Sequence, residues 1–393
     1  MNYLVAVDGF FPDRPGGSAR VAWDIAQLMR DRGHNVTIFC HKQKPQDDDY
    51  VHTEGVSVVR FQFPKTFSVD PFKVHKQITA GLKTAGKYLT STNWDVVHVH
   101  TPLFGNIVYK LLGHGPKYIC TVHSPSIPEQ QANWAAQGLA GKIKWVFGKG
   151  QLKKLEWTML KEARRIHTLS EFTKESIDRY YGVGNKVTVI PHWCREDFTR
   201  EHSKPEAREL LGWPKKAQIL FSVRRLAPRM GLDVAIKAIA PLLEKRSDLY
   251  FVIAGAGSME YQLKQLAQSF GVTNNVWFLG QVSDEILKRC YEAADLFVLP
   301  TRALECFGLP VLEALAYGLP VISTDAAALP ELMGPILPEC IVPSDSVEKL
   351  REKIQTYLEG RLNLPTPETL IKYVEEHYGP HVVVPRIVEL LES

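Results

Sequence analysis

One stretch of sequence, residues 295–324, constrains the fold more than any other part of the chain. An apolar run, residues 295–300, is followed by a short loop and then by Pro310. Proline suits the first turn of a helix because it has no N–H to leave unsatisfied and its φ angle is already near the helical value. Gly318 can end the helix, and residues 321–324 are apolar and β-branched enough to form the next strand. The stretch predicts a strand–loop–helix–strand unit of an α/β protein.

The loop of this unit has the features of an anion site. Phe307, Gly308 and Leu309 stand at the expected helix start, where backbone N–H groups lack helical partners and the helix dipole is positive. Glu305 and Glu313, eight positions apart, place a carboxylate at each end of the loop and first turns. A nucleotide-sugar, with phosphates in the middle and hydroxyls at both ends, fits this pattern. The alternative is a solvated loop charge at 305 and a surface charge at 313.

These residues resemble a known family. Two glutamates with Phe-Gly-Leu-Pro between them and Gly-x-Pro-Val after them are similar to the signature of family 4 of the retaining GT-B glycosyltransferases. The resemblance implies that Glu305 contacts the donor sugar and that Glu313 contacts the ribose hydroxyls. It also implies that the backbone N–H groups of residues 307–309 hold the diphosphate and the sugar.

The composition is that of a soluble globular protein of about two domains. The chain has 393 residues, of which 45% are hydrophobic and 23% charged, and its net charge of +4 is too small to indicate nucleic acid binding. Six cysteines lack metal or redox spacing, which is typical of a reducing compartment. No apolar run reaches the length of a membrane span and the start lacks a basic signal region. We therefore expect a cytoplasmic protein.

The amino-terminal half alternates strands with helices. Residues 3–7 and 36–40 are predicted strands, and the pair Gly16 and Gly17 opens the helix between them. This alternation predicts a doubly wound sheet that binds ligands at the carboxyl ends of its strands. Gly17 either admits a phosphate or sugar to the helix start or forms a tight turn that needs no ligand. The resemblance implies that this loop lies in the cleft beside donor and acceptor.

His123 follows directly after a predicted strand, residues 117–122. A histidine just past a strand end of a doubly wound sheet lies where ligands bind. The resemblance implies a cleft histidine that contacts the reacting region of the donor sugar, and a purely structural histidine is the alternative.

We expect neither a metal ion nor another cofactor. His98 and His100 share one strand face, but no third ligand accompanies them. An Asp-x-Asp pattern occurs only in the polar loop 47–49, away from a strand end. A nicotinamide cofactor would require a full glycine fingerprint followed by an acidic residue, and the chain has none.

Residues 127–160 interleave basic and aromatic side chains on a helical pattern. Such a segment can lie on an anionic membrane surface. The favoured alternative is a helical excursion that caps the acceptor side of the cleft and packs its tryptophans inside. The residues concerned are Trp134, Trp145, Trp157, Lys142, Lys144, Lys149, Lys153 and Lys154.

Three arginines follow the predicted strand 218–223. Guanidinium groups pair with phosphate oxygens, so these residues are candidates to clamp a diphosphate, and a solvated basic loop is the alternative. The family pattern here is Gly-Arg-Leu, three residues, then Lys-Gly. Arg225 matches its arginine, whereas uncharged Met230 occupies the lysine position. Either Arg229 or Arg224 supplies the second cation, or the diphosphate is held more weakly.

Two further turns belong to the expected donor site. Gly255 begins a Gly-x-Gly turn after a predicted strand, but Glu260 occupies the third glycine position of a dinucleotide fingerprint. The turn matches the family's own glycine turn. By resemblance, the segment that contains Val282 contacts the nucleotide base through its backbone.

Together with the alternating pattern, the resemblance implies a GT-B fold, with two Rossmann-like doubly wound domains facing a cleft. Residues 1–195 form the acceptor-binding domain and residues 196–375 the donor-binding domain. A terminal helix, about 376–393, packs back on the first domain.

The resemblance implies the activity of a retaining hexosyltransferase. It transfers a sugar from a nucleotide-diphosphate sugar, a UDP-sugar by preference, to a hydroxyl of a saccharide or lipid-linked acceptor. The pathway is polysaccharide, exopolysaccharide or glycolipid synthesis. A nucleotide-sugar epimerase and a non-catalytic nucleotide-sugar-binding protein of the same fold are the alternatives.

Overall fold

The computed structural model describes residues 1–14, 16–62, 71–135 and 138–393. The chain forms two compact units. The first comprises Met1–Ile190 together with Leu390–Ser393, and the second comprises Pro191–Glu389. Each unit has its own sheet with helices between most successive strands, as the alternating sequence pattern predicts. The assignment of acceptor and donor binding to the two units stays a prediction.

The first unit is built on an eight-stranded sheet with the order β3-β4-β2-β1-β5-β6-β7-β8. Every described pairing is parallel except β3 with β4, which is antiparallel. The elements are β1 Asn2–Ala6, α1 Gly17–Asp31, β2 Asn35–His41, β3 Tyr50–Thr53, β4 Val56–Phe61, α2 Pro71–Tyr88, β5 Val96–Val99, α3 Pro102–Leu112, β6 Lys117–Thr121, α4 Ser126–Ala135, α5 Gly138–Glu162, β7 Arg165–Thr168, α6 Glu171–Tyr181 and β8 Val187–Val189.

The second unit has a parallel six-stranded sheet with the order β11-β10-β9-β12-β13-β14. Its elements are α7 Lys204–Leu211, β9 Gln218–Val223, α8 Leu232–Leu243, β10 Leu249–Ala254, α9 Glu260–Ser269, β11 Val276–Gly280, α10 Asp284–Ala293, β12 Leu296–Leu299, α11 Leu309–Ala316, β13 Val321–Thr324, α12 Leu329–Met333, β14 Ile341–Val342, α13 Val347–Leu358, α14 Pro367–Tyr378 and α15 Pro380–Glu392, whose last residues belong to the first unit.

The central strands are continuous apolar runs because helices cover both faces of a parallel sheet. Tyr3 of β1 lies between Val36 of β2 and Val96 of β5, and all three are buried. β12 is likewise buried over its full length. Burial of these faces supplies the main driving force for the fold.

The strand–loop–helix–strand unit predicted for residues 295–324 is confirmed. It consists of β12, α11 with Pro310 in its first turn, and β13. Gly318 has a φ of 65°, the left-handed conformation expected after a helix end. The sequence patterns did not identify β3, because this exposed edge strand buries too little to show a clear alternation.

Each sheet reverses its strand order at one point. The reversal falls between β1 and β5 in the first unit and between β9 and β12 in the second. Loops that leave neighbouring strands in opposite directions open a crevice at such a point, which is where doubly wound folds bind ligands.

None of the helices in the part of the chain that the structure describes is long and apolar enough to cross a membrane.

Candidate functional site

Glu305 lies in the loop after β12, at the order reversal of the second sheet. Its side chain is only 15% exposed and its carboxylate oxygen lies 2.6 Å from Nη2 of Arg224, which follows β9. The backbone carbonyl of Glu305 also accepts a hydrogen bond from Ala328 N. Glu305 is therefore a fixed, ion-paired carboxylate, and the alternative of a solvated loop charge does not hold.

The Arg224 guanidinium is buried among partners from two loops. Nη1 donates to Thr301 Oγ1 at 2.5 Å, and Nη2 lies 2.9 Å from the Met230 sulfur. Its side chain is 5% exposed. Sequence reasoning placed Arg224 among three arginines but did not identify its pairing with Glu305, because a contact across 81 positions leaves no local signal.

Two other arginines hold the backbone before Glu305. Leu304 has a φ of 59°, an unfavourable left-handed conformation for a leucine. Its carbonyl accepts a 3.0 Å hydrogen bond from Nη1 of Arg229. Arg302 binds both oxygens of Asp233 at 2.7 Å and one oxygen of Asp345 at 2.6 Å. These contacts fix the turn that orients Glu305.

The loop leads directly into the start of α11. Gly308 is the N-cap residue, with φ 99° and ψ 46°, a conformation that glycine adopts readily. Phe307 is buried, and the centroid of its ring lies 5.9 Å from that of Tyr378. This contact helps to hold the loop in place. The N–H groups of Phe307, Gly308 and Leu309 precede the first hydrogen-bonded turn, so the helix itself offers them no acceptor. This is the geometry of an anion site.

Glu313, on α11, is the second carboxylate of the candidate site, and it too is held in place. Tyr291, from α10, donates a 2.7 Å hydrogen bond to Glu313 Oε2. Tyr291 is buried, and its ring stacks on Tyr317 with centroids 5.5 Å apart. Sequence reasoning identified Glu313 but not Tyr291, which no motif marked.

The glycine turn after β10 packs against the arginine loop. Gly255 N donates to Gly280 O at 2.7 Å, and a Cβ at position 255 would lie 1.9 Å from the Arg224 carbonyl. Only glycine allows this approach. Val282 follows in the next loop and is partly exposed. The loops after four adjacent strands, β9 to β12, thus meet at one edge of the sheet.

The three predicted arginines have different environments. Arg224 is buried against Glu305, Arg229 is half-buried against Leu304, and Arg225 is exposed. The alternative of a purely solvated basic loop therefore does not hold for Arg224 or Arg229.

The first unit contains a buried hydrogen-bond chain across four strands. The Ile190 carbonyl can only accept, so His167 Nε2 donates to it at 2.8 Å. With neutral rings, His167 Nδ1 then accepts from Thr121 at 3.0 Å, and Thr121 accepts from His98 Nε2 at 2.7 Å. His98 Nδ1 accepts from Tyr3 at 2.8 Å. Burial, followed by the charges of His167 and His123, holds the pKa of His98 well below its usual value. The chain fixes both tautomers.

His123 lies just beyond β6, beside the order reversal of the first sheet. Its Nε2 is 3.0 Å from Nδ1 of His100, and the two rings stack with centroids 5.2 Å apart. His100 in turn lies against His98, at 4.2 Å between centroids.

Gly17 is the first residue of α1, which follows β1 at the same sheet edge. No group of three or more His, Cys, Asp or Glu suited to a metal ion occurs among the described residues.

The segment 127–160 forms most of two helices, α4 and α5. Trp157 is 39% exposed and Trp145 packs partly against the core. Its tryptophans are therefore not all packed inside. The exposed lysines of α5 are Lys142, Lys149, Lys153 and Lys154. The side chains of Trp134 and Lys144, and residues 136 and 137 altogether, lie outside the described part of the chain.

The same segment carries a buried carboxylate that sequence reasoning missed. Glu156 of α5 is 2% exposed and accepts hydrogen bonds from Ser126 N at 2.9 Å and from the Tyr181 hydroxyl. Burial raises the pKa of Glu156 to about 7. The carboxylate ties the start of α4, three residues after His123, to α5 and α6.

Two doubly wound sheets, each with polar groups at its order reversal, form the GT-B fold, and solved structures agree with this fold. Sucrose-phosphate synthase from Thermosynechococcus elongatus matches with a TM-score of 0.81 and 20% identity, over 100% of this chain and 98% of that one. HepE from Anabaena, solved with UDP and glucose, matches with a TM-score of 0.75 and 19% identity over 100% of both chains.

Sequence comparisons give the family. The Glycosyltransferase Family 4 model matches residues 15–197, and the Glycosyl transferases group 1 model matches residues 203–377. This chain belongs to that family of glycosyltransferases and is a hexosyltransferase. An uncharacterized glycosyltransferase of Methanocaldococcus jannaschii is 28% identical over 73% of this chain and 71% of its own length. A phosphatidyl-myo-inositol mannosyltransferase of Mycobacterium leprae is 25% identical over 73% of this chain and 69% of its own.

Proposed function

We propose that this hexosyltransferase moves a sugar from a nucleotide-diphosphate sugar to an acceptor hydroxyl with retention of the anomeric configuration. The observation that carries the proposal is the Glu305 loop. A buried, ion-paired carboxylate leads directly into the N-terminus of α11, and Glu313 stands further along the same helix. The first carboxylate suits the sugar of such a donor, the helix N-terminus suits its diphosphate, and the second carboxylate suits its ribose.

The proposed roles follow this order. Glu305 orients the donor sugar, and the N–H groups of Phe307, Gly308 and Leu309 bind the diphosphate. Glu313 accepts hydrogen bonds from the ribose hydroxyls. Arg225 and Arg229 add positive charge to the diphosphate site, and the turns at Gly255 and Val282 line the nucleotide.

The first unit supplies the remaining proposed groups. His123 contacts the reacting region of the donor sugar, supported by its place after β6 and by the ring of His100 that holds it. Gly17 leaves the start of α1 open to the ligands. The acceptor is a saccharide or a lipid-linked saccharide in polysaccharide, exopolysaccharide or glycolipid synthesis. The mannosyltransferase relative, which is named for phosphatidyl-myo-inositol, supports a lipid-linked acceptor.

The proposed chemistry is a front-face displacement. The acceptor oxygen forms a bond to the anomeric carbon as the carbon–oxygen bond to the diphosphate breaks on the same face. The acceptor proton passes to the leaving diphosphate oxygen. A double displacement would need a free carboxylate nucleophile, whereas Glu305 is neutralised by Arg224. The chain's task is then to position the reactants and to stabilise the diphosphate charge without a metal ion.

A UDP-sugar is the proposed donor. The bound UDP of the structurally similar HepE supports it. The mannosyltransferase relative makes a mannose donor the second candidate, because its name specifies that sugar.

The test is release of nucleoside diphosphate from a panel of UDP-, GDP- and ADP-sugars, with and without EDTA. Acceptors in the panel are short saccharides and lipid-linked saccharides. We expect one donor to be consumed, with release that EDTA does not change and that Glu305→Ala abolishes. NMR of the product then reports the anomeric configuration. If no donor binds, the assignment of the Glu305 loop is wrong.

A further inference from the structure

Two positions at which this chain departs from the family pattern touch each other. The pattern Gly-Arg-Leu, three residues, Lys-Gly places a glycine where this chain has Arg224 and a lysine where it has Met230. In the fold, Nη2 of Arg224 lies 2.9 Å from the Met230 sulfur. A lysine ammonium at 230 would repel this guanidinium, so an arginine at 224 and an uncharged side chain at 230 suit each other.

The paired change moves a positive charge rather than deleting it. The same Nη2 atom that meets Met230 lies 2.6 Å from Glu305 Oε2. Glu305 therefore keeps a buried cationic partner although residue 230 has no charge. A guanidinium also holds its partners in a fixed planar fork, which an ammonium does not.

The Arg224 guanidinium retains donors for another anion. Of its five N–H groups, three point to Thr301, Met230 and Glu305. For the other two, one on Nε and one on Nη1, the described residues provide no acceptor. A buried cation with unused donors, beside a helix N-terminus, suits phosphate oxygens.

The other two arginines of the loop do not fill this place. Arg229 donates to the Leu304 carbonyl and so supports the turn before Glu305. Arg225 is exposed.

We propose that Arg224 supplies the cation that binds the donor diphosphate beside Glu305, in place of a charge at residue 230. This inference rests on the proposed function, since it assumes a diphosphate at the Glu305 loop. It assigns Arg224 a binding role that the family pattern does not contain.

The experiment moves the positive charge from residue 224 to residue 230. Four proteins are compared: wild type, Arg224→Gly, Met230→Lys and the double variant. Calorimetry measures the affinity of each protein for UDP and for uridine. The same comparison is made between GDP and guanosine and between ADP and adenosine. We expect Arg224→Gly to weaken diphosphate binding about tenfold or more while the nucleoside affinity is unchanged. The double variant should regain most of the loss, because the ammonium then approaches Glu305 from 230.

The matched control is Arg208→Lys. Arg208 is another buried arginine of the second unit, 2.7 Å from Asp295, and it belongs to no proposed site. Its variant should change the melting temperature without changing the ratio of diphosphate to nucleoside affinity. Met230→Lys alone should bind UDP no better than wild type.

Two results overturn the inference. One is a folded Arg224→Gly variant that binds UDP as tightly as wild type. The other is a folded double variant that binds no better than Arg224→Gly. Either result leaves the proposed function intact if the wild-type protein still releases nucleoside diphosphate from a donor. A wild-type protein that binds no nucleoside diphosphate overturns the inference and the proposed function together.

Discussion

The hydroxyl of Tyr291 donates a 2.7 Å hydrogen bond to the Glu313 carboxylate. The two residues lie on different helices, α10 and α11, on either side of β12 in the chain. Stacking on Tyr317 and an edge contact to Phe221, at 5.4 Å between centroids, fix the Tyr291 ring. The carboxylate proposed to receive the ribose is thus held before any ligand arrives, which reduces the entropy lost on binding.

Tyr291→Phe should therefore weaken donor binding more than turnover. The ring contacts remain, but Glu313 loses a hydrogen bond to a charged group, worth about 1.5–3 kcal/mol. We expect the donor KM to rise about tenfold with kcat nearly unchanged, as measured in steady-state kinetics. The control is Tyr250→Phe, a change of the same kind in β10. A fall in kcat as large as the rise in KM would show that Tyr291 does not act mainly through donor binding.

Glu305→Gln should show the opposite kinetic pattern. Glutamine keeps an acceptor for Arg224 and so preserves the fold, but the negative charge that orients the sugar is gone. We expect kcat to fall about 10²–10³-fold, the range found when one precisely placed polar group is removed. Glu313→Gln, in the helix that follows this loop, should mainly raise the donor KM. A Glu305→Gln enzyme with wild-type kcat contradicts the assigned role.

Gly308→Ala should impair both stability and donor binding. The φ of 99° is unfavourable for alanine, and the added Cβ would lie 3.0 Å from Leu329 Cδ2. The conformational cost alone is about 1–2 kcal/mol. Thermal unfolding measures the loss of stability, and UDP titration measures the loss of binding. Gly360→Ala, at another positive φ with no atom within 4 Å of the new Cβ, is the control for strain without ligand contact.

Glu156 makes stability depend on pH. Its pKa is about 7 in the fold against an ordinary value of 4.5, because it is buried. The folded chain therefore binds this proton more tightly than the unfolded chain, so stability should fall as pH rises from about 4.5 to 7 and level off above that range. The shift corresponds to about 3 kcal/mol.

Denaturant unfolding at pH 5 and pH 8 measures this effect. Glu156→Gln cannot ionise, so its stability should lack this part of the pH dependence. Glu162→Gln, on the same helix, is the control. A Glu156→Gln variant with the same difference between pH 5 and pH 8 as wild type would refute the assignment.

The exposed lysines of α5 should bind anionic bilayers. Lys149 and Lys153 lie on one face of the helix, near exposed Trp157. Each lysine near an anionic surface contributes about 1 kcal/mol. Lys149→Glu with Lys153→Glu should reduce sedimentation with phosphatidylglycerol vesicles at least about tenfold. Lys349→Glu with Lys372→Glu, on other helices, should not. Equal binding by both variants would exclude α5 as the membrane contact.

Much of the candidate site could be predicted from local sequence. Pro310 and Gly318 delimit α11, and Gly308 provides the left-handed turn before it, because these residues restrict or extend the backbone wherever they occur. The alternation of apolar runs with helical patterns predicted both parallel sheets. Glu305 and Glu313 were recognisable by their spacing around these residues.

The partners of those residues were not predictable in the same way. Arg224 meets Glu305 across 81 positions, and Tyr291 meets Glu313 across 22. The two members of each pair lie on or after different elements, so no periodicity within one helix or strand marks the pair. The pKa of Glu156 is likewise a result of burial by three helices, which a single helix pattern does not reveal.

The sequence by itself determined most of the strands, turns and helices, and which loop carries the carboxylates, since these depend on backbone preferences of neighbouring residues. The tertiary structure alone decided which charges meet. The order reversal between β9 and β12 brings Arg224 to Glu305, and it does so because parallel strands place the loops at their carboxyl ends side by side, whatever their distance along the chain.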